Sequence, residues 1–583
     1  LAARGLALEP QSGPFLGPLD FDARWRPGVG GALAADAVDL EPLARLVAAL
    51  PFPAEARRVL AQVQPRGRLA ALRSDWSGPL EAPERYTASG EFVGLAAEPT
   101  GELPGFGGLS GSFQATENAG RVQLESRQAE LALPRVFPGP RIPLDTLSGQ
   151  LRWERLAATL SVQVVSLSLS SEHLSGNLHG SYSSDGAGPG IADLSAQFDR
   201  ADARHLATYL PHAHLMGGPA TRDWLVKSIL AGVSGDVRFR LRGNLADFPF
   251  VDRERGEFSV RAQIRRGVLD YAPGWPRIED IQGELVFERD RMAIAGHSGS
   301  MLGVALSAVH VEIPHLGKTP ELRVEGLAEG PTAGFLGYVE SSPVRGRALG
   351  LTDSLKASGR GRLRLKLALP LGDLPRAKVA GDFEIFDNNV QVHGELPAIE
   401  RASGRVSFTQ SGFTLHDVRG QLFGGPVLVS GGAQPDGSIE VAARGHASVQ
   451  AARPFFDHPL AARLSGATDY AAFVTIAKGR ARFRLESDLR GRARALPAPL
   501  AKAADDALEL RLEAVPLEGG ARQYLAANLG PRARAAMVRA PQGEGMVLQR
   551  AWVALTPPPG ARLRLPTQPG ILVSGALPAL DLD

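Results

Sequence analysis

The sequence predicts a mainly β protein: a long, repetitive antiparallel β-sheet curled into an elongated groove, with short helices between repeat units. Three observations lead there. Apolar and charged residues alternate one by one in segments such as Gly235 to Gly243, GDVRFRLRG, and Gly361 to Leu369, GRLRLKLAL, which is the pattern of a strand with one dry and one wet face. Gly 67 and Pro 44 in 583 residues supply turns for many short strands rather than long helices. Two sequence elements also recur along the chain, as they do where units stack on their neighbours.

Read from the start, residues 1–38 form a partial β unit. The next unit, 39–201, opens on a helical passage in which Leu43, Leu46, Val47 and Leu50 share one face, followed after Pro51 and Pro53 by Ala56, Val59, Leu60 and Val63. Comparable passages at Ala201 to Leu230, Pro331 to Val339 and Ala451 to Leu464 open the units 202–329 and 330–449 and the partial unit 450–583. The second element is a proline, a short spacer, then a glycine followed by alternating apolar residues. It reads PGFGGLSGSF from Pro104, PLDTLSGQLRW from Pro143, PRIEDIQGELVF from Pro276 and PAIERASGRVSF from Pro397, with Gly111, Gly149, Gly283 and Gly404 at its centre.

Strands follow these elements. Val237, Phe239 and Leu241 lie opposite Arg238, Arg240 and Arg242; Leu363, Leu365 and Leu367 lie opposite Arg362, Arg364 and Lys366. Shorter versions hold Phe258, Val260, Ala262 and Ile264, then Leu285 with Phe287, Val406 with Phe408, and Phe483 with Leu485. One-sided strands belong in an antiparallel sheet whose dry face is covered. One or two short helices per unit cannot cover several strands, so the sheet packs on another sheet or curls around something else. The arginine rows read as a solvated outer face that keeps a greasy sheet soluble.

Composition excludes several functions. Lys+Arg 64 against Asp+Glu 62 gives a net charge of +2, too little for a basic field that gathers nucleic acid. Cys 0 removes disulfides, thiolate catalysis and cysteine metal sites, and suits an oxidising compartment. No continuous apolar run is long enough for a membrane-spanning helix or a signal peptide. The chain starts at Leu1 and closes on the alternating GALPALDLD, so it reads as a segment whose membrane anchors lie outside it.

No catalytic or cofactor motif survives inspection, and the chain is expected to be no enzyme and to need neither cofactor nor metal. Gly317, Lys318 and Thr319 resemble the end of a phosphate-binding loop, but Glu312 stands where the first glycine belongs and Pro320 blocks the following helix. Gly296 to Ser300, GHSGS, lacks the last glycine of a nucleophile elbow and reads as a strand-end turn. His212 and His214 have no third ligand nearby and read as a solvated loop. Asp505 and Asp506 are sequence neighbours that point apart.

Residues 219–250, PATRDWLVKSILAGVSGDVRFRLRGNLADFPF, the phrase LPAPLAKAAD at 496–505 and the closing GALPALDLD resemble the AsmA-like family of Gram-negative bacteria, in its YhdP-type branch. The resemblance implies a periplasmic protein, tethered to the inner membrane in its full-length form, that conducts phospholipid between inner and outer membranes along a hydrophobic groove. Its lipid-binding residues would be Val237, Phe239, Leu241, Ile264, Leu285, Phe287, Leu363, Leu365, Leu367, Val406 and Phe408. Its partners would be phospholipid and, through regions outside this segment, the two membranes. A structural or adhesive β-solenoid with a closed core remains the alternative, with a polysaccharide-acting solenoid enzyme behind it.

Overall fold

The computed structural model describes residues 2–8, 16–49, 54–79, 83–100, 104–139, 141–317, 319–347, 355–392, 397–452, 466–477, 480–490, 507–517, 522–542, 545–558 and 564–575. Lys318, the phrase at 496–505 with Asp505 and Asp506, and all but the first residue of the closing phrase lie outside these residues. The described chain is mainly β, with 31 strands and a few short helices, as the alternation predicts. It divides into two compact units, one made chiefly of residues 1–273 and the other chiefly of residues 323–583.

In the first unit each strand pairs antiparallel with the next, from Ala2–Leu8 through Ile191–Asp202. Ile191–Asp202 then pairs with both Ile229–Ser234 and Val237–Asn244, and these two share the next strand, Gly256–Leu269, which pairs with Ile278–Glu288. The second unit repeats the plan from Lys356–Pro370 to Gly545–Leu555. Its last pair, Gly545–Leu555 with Gly570–Gly575, is parallel. A parallel pair needs a connection that crosses the sheet, and Arg550 donates to the Pro566 carbonyl at 3.4 Å on that crossing. There Ala536, Val538 and Trp552, on the face that is polar elsewhere, are buried.

Each unit has its own core on one face of its sheet. Phe92, Leu124, Ala129, Leu144 and Leu147 form the first; Ile385, Ala402, Val418, Val427, Val429 and Tyr470 form the second. Full burial of a Leu or Phe side chain stabilises by about 1.5–3 kcal/mol, so these clusters decide which face turns inward.

The helices fall where apolar spacing changes from two to three or four residues: α1 (Leu40–Ala49), α2 (Ala54–Val63), α3 (Leu206–Tyr209), α4 (Pro219–Ser228), α5 (Thr332–Glu340) and α6 (Val449–Ala452). Proline at the first turn starts α4 at no hydrogen-bond cost, and Ile229 leaves it in an extended conformation, directly into the next strand. The fourth helical passage is described only as far as Ala452.

The recurring glycine phrase begins strands and puts its glycine in mid-strand. At Gly111 and Gly149, φ is +157° and +154°, and a Cβ would collide with the carbonyl of Gln123 or Ser166 on the facing strand. Only glycine lets the two backbones approach so closely. One expectation is corrected: Gly296 to Ser300 lies inside the strand Arg291–Met301, where His297 and Ser298 are both exposed and the chain stays extended through them instead of turning.

Strict alternation fails along one line of each unit. Ala71, Gly94, Gly108 and Gln128, on four successive strands, have φ of 50–68°, and each sits where the strand register shifts. Arg266 and Asp280 repeat this on Gly256–Leu269 and Ile278–Glu288, and Asp387, Arg401 and Asp417 do so in the second unit. Such bulges bend and twist a strand. Lined up strand by strand, they crease the sheet.

The crease is held by side chains. Gly94 N–H donates to Ser110 Oγ at 3.1 Å and Ser110 N–H to Ser126 Oγ at 2.9 Å, while Asp387 N–H donates to Ser403 Oγ at 3.0 Å. Each takes up an amide that the bulge removes from the ladder.

Candidate functional site

The apolar positions of successive strands are joined by register into continuous rows. Residues directly opposite one another in a sheet point to the same face. In the first unit one such row runs Val38, Leu69, Phe92, Gly111, Leu124, Gly149, Leu167, Leu178, Ala196, Phe239, Val260, Phe287. In the second a row runs Leu363, Phe383, Val406, Leu415, Gly431, Val441, Val474, Phe483, Ala514, Leu525, Met537, Ala551, Ile571. No polar side chain interrupts either row.

The lining residues expected from sequence fall on these rows or beside them. Val237 pairs with Ala262 and so reaches Leu285; Phe239 reaches Phe287 through Val260; Leu241 faces Phe258, and Ile264 faces Gly283. Leu365 faces Gly381, which faces Phe408, and Leu367 faces Val379. The two groups belong to different units. Every residue of both groups is half-buried, neither sealed in a core nor fully exposed. Helix α5 reaches this face, for Phe335 meets Phe383 edge to face with ring centroids 4.9 Å apart.

Glycines flatten the same face, a feature that sequence reasoning missed. Phe113 lies over its cross-strand partner Gly90, Trp153 over Gly120, Phe198 over Gly176 and Phe408 over Gly381. A Cβ on Gly120 would come within 2.6 Å of Trp153 Cε2, and one on Gly176 within 2.7 Å of Phe198 Cδ1. The rings therefore lie along the sheet instead of standing up from it.

The opposite face is charged and largely self-neutralised. Arg240 pairs with Asp193 and lies 3.8 Å from Glu257; Arg238 pairs with Asp236 at 3.0 Å. Arg360 and Arg362 share Glu329 at 3.3 and 3.1 Å, and Lys366 reaches Glu325 at 3.2 Å. The Arg240 hydrogen bond holds the Asp193 carboxyl below the usual carboxylate range, and Arg362 does the same to Glu329.

A cavity of about 1080 Å³ in the second unit takes in Arg419, Leu428, Arg444, Glu486 and Arg511 of this polar face. Three of its four carboxylates are engaged: Asp469 by His446 at 2.9 Å, Glu486 by Arg484 at 3.3 Å and Asp488 by Arg490 at 3.6 Å, with Glu509 the fourth. One carboxylate outside these pairs is not a pair of carboxyls set for acid–base work. His212 and His214 stack at 5.5 Å, and His212 Nε2 shares a hydrogen bond with the Pro134 carbonyl at 2.8 Å. Among the described residues no group of three His, Asp or Glu is placed to hold a metal, and no helix is long and apolar enough to cross a membrane.

Comparison with known proteins gives two findings. The family described as YhdP protein matches residues 1–583. The chain is also similar to the intermembrane phospholipid transporter YhdP of Escherichia coli (strain K12), 24% identical over 462 residues that cover 77% of this chain and 36% of that relative. The chain thus spans about a third of that relative's length. No solved structure matches it.

Proposed function

The chain belongs to the YhdP family, and from that premise we propose that it is one stretch of a bridge-like lipid transfer protein, conducting phospholipid between inner and outer membranes along its apolar face. The observation that carries this reading is the pair of unbroken apolar rows, each crossing a unit from strand to strand. The relative's name, an intermembrane phospholipid transporter, supports the same cargo. Transport along the rows is binding without chemistry, and the protein acts as a carrier rather than an enzyme. Its place is the periplasm, with tethering to the inner membrane and contact with the outer membrane supplied by other parts of the full-length protein.

The physics favours such a surface. A tail of about 16 methylenes exposed to water costs on the order of 13 kcal/mol at roughly 0.8 kcal/mol per methylene. Half-buried Leu, Val, Ile and Phe side chains remove most of that cost wherever the tail rests. A row of similar side chains also lets cargo slide, whereas one deep polar site would trap it.

A photo-crosslinking residue tests which face carries lipid. Leu365 and Arg364 are neighbours on opposite faces of one strand. A probe at Leu365 should capture phospholipid in cells and one at Arg364 should not. Equal labelling at both would refute the lined face; labelling at neither would favour a closed core.

A further inference from the structure

Phe408 on Gly381 lies at a lining position next to the Leu363, Leu365 and Leu367 face, beside the similar contact of Phe383 with Gly361. Gly381 pairs with Leu365 on one side and with Phe408 on the other. A Cβ on Gly381 would overlap the ring tip and stand 2.7 Å from Cε1 and 2.8 Å from Cε2. The ring therefore occupies the volume that any side chain at 381 would need.

We propose that Gly381 sets the clearance of the apolar track: by leaving room for the Phe408 ring to lie flat, it keeps that ring out of the path of an acyl chain. This rests on the reading of the apolar face as a lipid track. Gly381 lies inside the strand Lys378–Gln391 and is not among the glycines with positive φ. Alanine there meets no backbone strain, and the contact it makes is with the end of a side chain that can turn about χ1 and χ2. The easiest response is for the ring to lift off the sheet, into the space above Leu365.

This differs from an ordinary packing role in what it leaves intact. If the glycine served only to stabilise the sheet, Gly381→Ala would slow transfer only together with a lowered melting temperature, because the overlap would strain the fold. If it sets clearance, shortening Phe408 removes the obstruction and restores passage. Phe408→Ala alone, which removes a lining side chain, sets the rate against which the double variant is compared.

The test measures uptake and release of a tail-labelled fluorescent phospholipid between vesicles of phosphatidylethanolamine and phosphatidylglycerol, using the whole chain. Gly381→Ala should slow transfer roughly tenfold, and Gly381→Ala combined with Phe408→Ala should return it to the rate of Phe408→Ala alone. Circular dichroism melting should leave all three variants folded. A lipid-free arm places 4-fluorophenylalanine at 408: the fluorine signal should broaden more with a soluble nitroxide in Gly381→Ala than in the unaltered background. A ring that rises without slowing transfer overturns the clearance role, as does a double variant as slow as Gly381→Ala. An unaltered chain that takes up no phospholipid overturns the lipid track itself, and the clearance role with it.

Discussion

Single side chains on the apolar face separate carrying lipid from merely folding. Leu365 is half-buried, so an aspartate there can stay hydrated while no cargo is present. Bringing a tail past it forces the carboxylate to shed water, at a cost of several kcal/mol. Leu365→Asp should therefore abolish transfer while the melting temperature stays nearly unchanged; in a sealed core the same change would unfold the protein. Tyr470 gives the opposite case. It is buried, its hydroxyl finds no partner, and burial pushes its pKa up to about 12. Tyr470→Phe should leave stability to urea unchanged or raise it, since it removes an unpaired polar atom. A loss above about 1 kcal/mol would mean the hydroxyl has a hydrogen-bond partner after all.

At the scale of strands and helices, the crease and the helical passages carry separate, measurable stability. Ser126 is buried and accepts from the Ser110 amide. Ser126→Ala leaves that N–H unpaired and should cost about 1–3 kcal/mol in urea unfolding, unlike an exposed serine such as Ser298. Asp202 caps the turn leading into α3, and its hydrogen bond from Arg204 lowers its pKa to about 2. A depressed carboxylate pKa stabilises the fold above the unfolded value, near 3.9, and that contribution is lost as pH falls through the folded value. The unaltered chain should thus lose stability progressively between about pH 4 and pH 2, and Asp202→Asn should flatten part of that decline. The contrast between these features also shows how far the sequence could be read. The strands and the sidedness of Val237 or Leu363 were legible, because alternation is a local signal. The crease was not, since its left-handed positions are filled by Gln128, Arg266 and Asp387 as readily as by Gly94, and the residues that satisfy it come from the next strand. The resting of Phe408 on Gly381 was hidden for the same reason: it exists only once register is set.

In each unit, charge and grease are divided between two faces, and on the proposed function the division predicts how transfer responds to salt. The arginine rows are matched by Asp193, Asp236, Glu325 and Glu329. Head groups recognised through those rows would make transfer strongly salt-dependent. If the apolar rows alone carry the cargo, raising salt from about 0.05 to 0.5 M should change the transfer rate by less than roughly twofold, because exposed ion pairs contribute little. A tenfold drop would move the binding surface to the charged face.

The crease has a further consequence, for how such a chain can diverge over time. Along Lys378–Gln391 the inward residues are Phe383, Ile385, Asn388 and Val390: one step of three inside a series of twos, with Asp387 as the extra residue. What the fold requires there is a count, not a kind of side chain. Replacing Asp387 by glycine or asparagine should be nearly silent, because both tolerate a positive φ. Deleting it should leave the same residues inward as a plain series of twos, removing the bend and the bond to Ser403 Oγ and lowering stability without exchanging the two faces. Relatives are then free to drift far in composition while the spacing between bulges stays fixed, and insertions should gather in the turns.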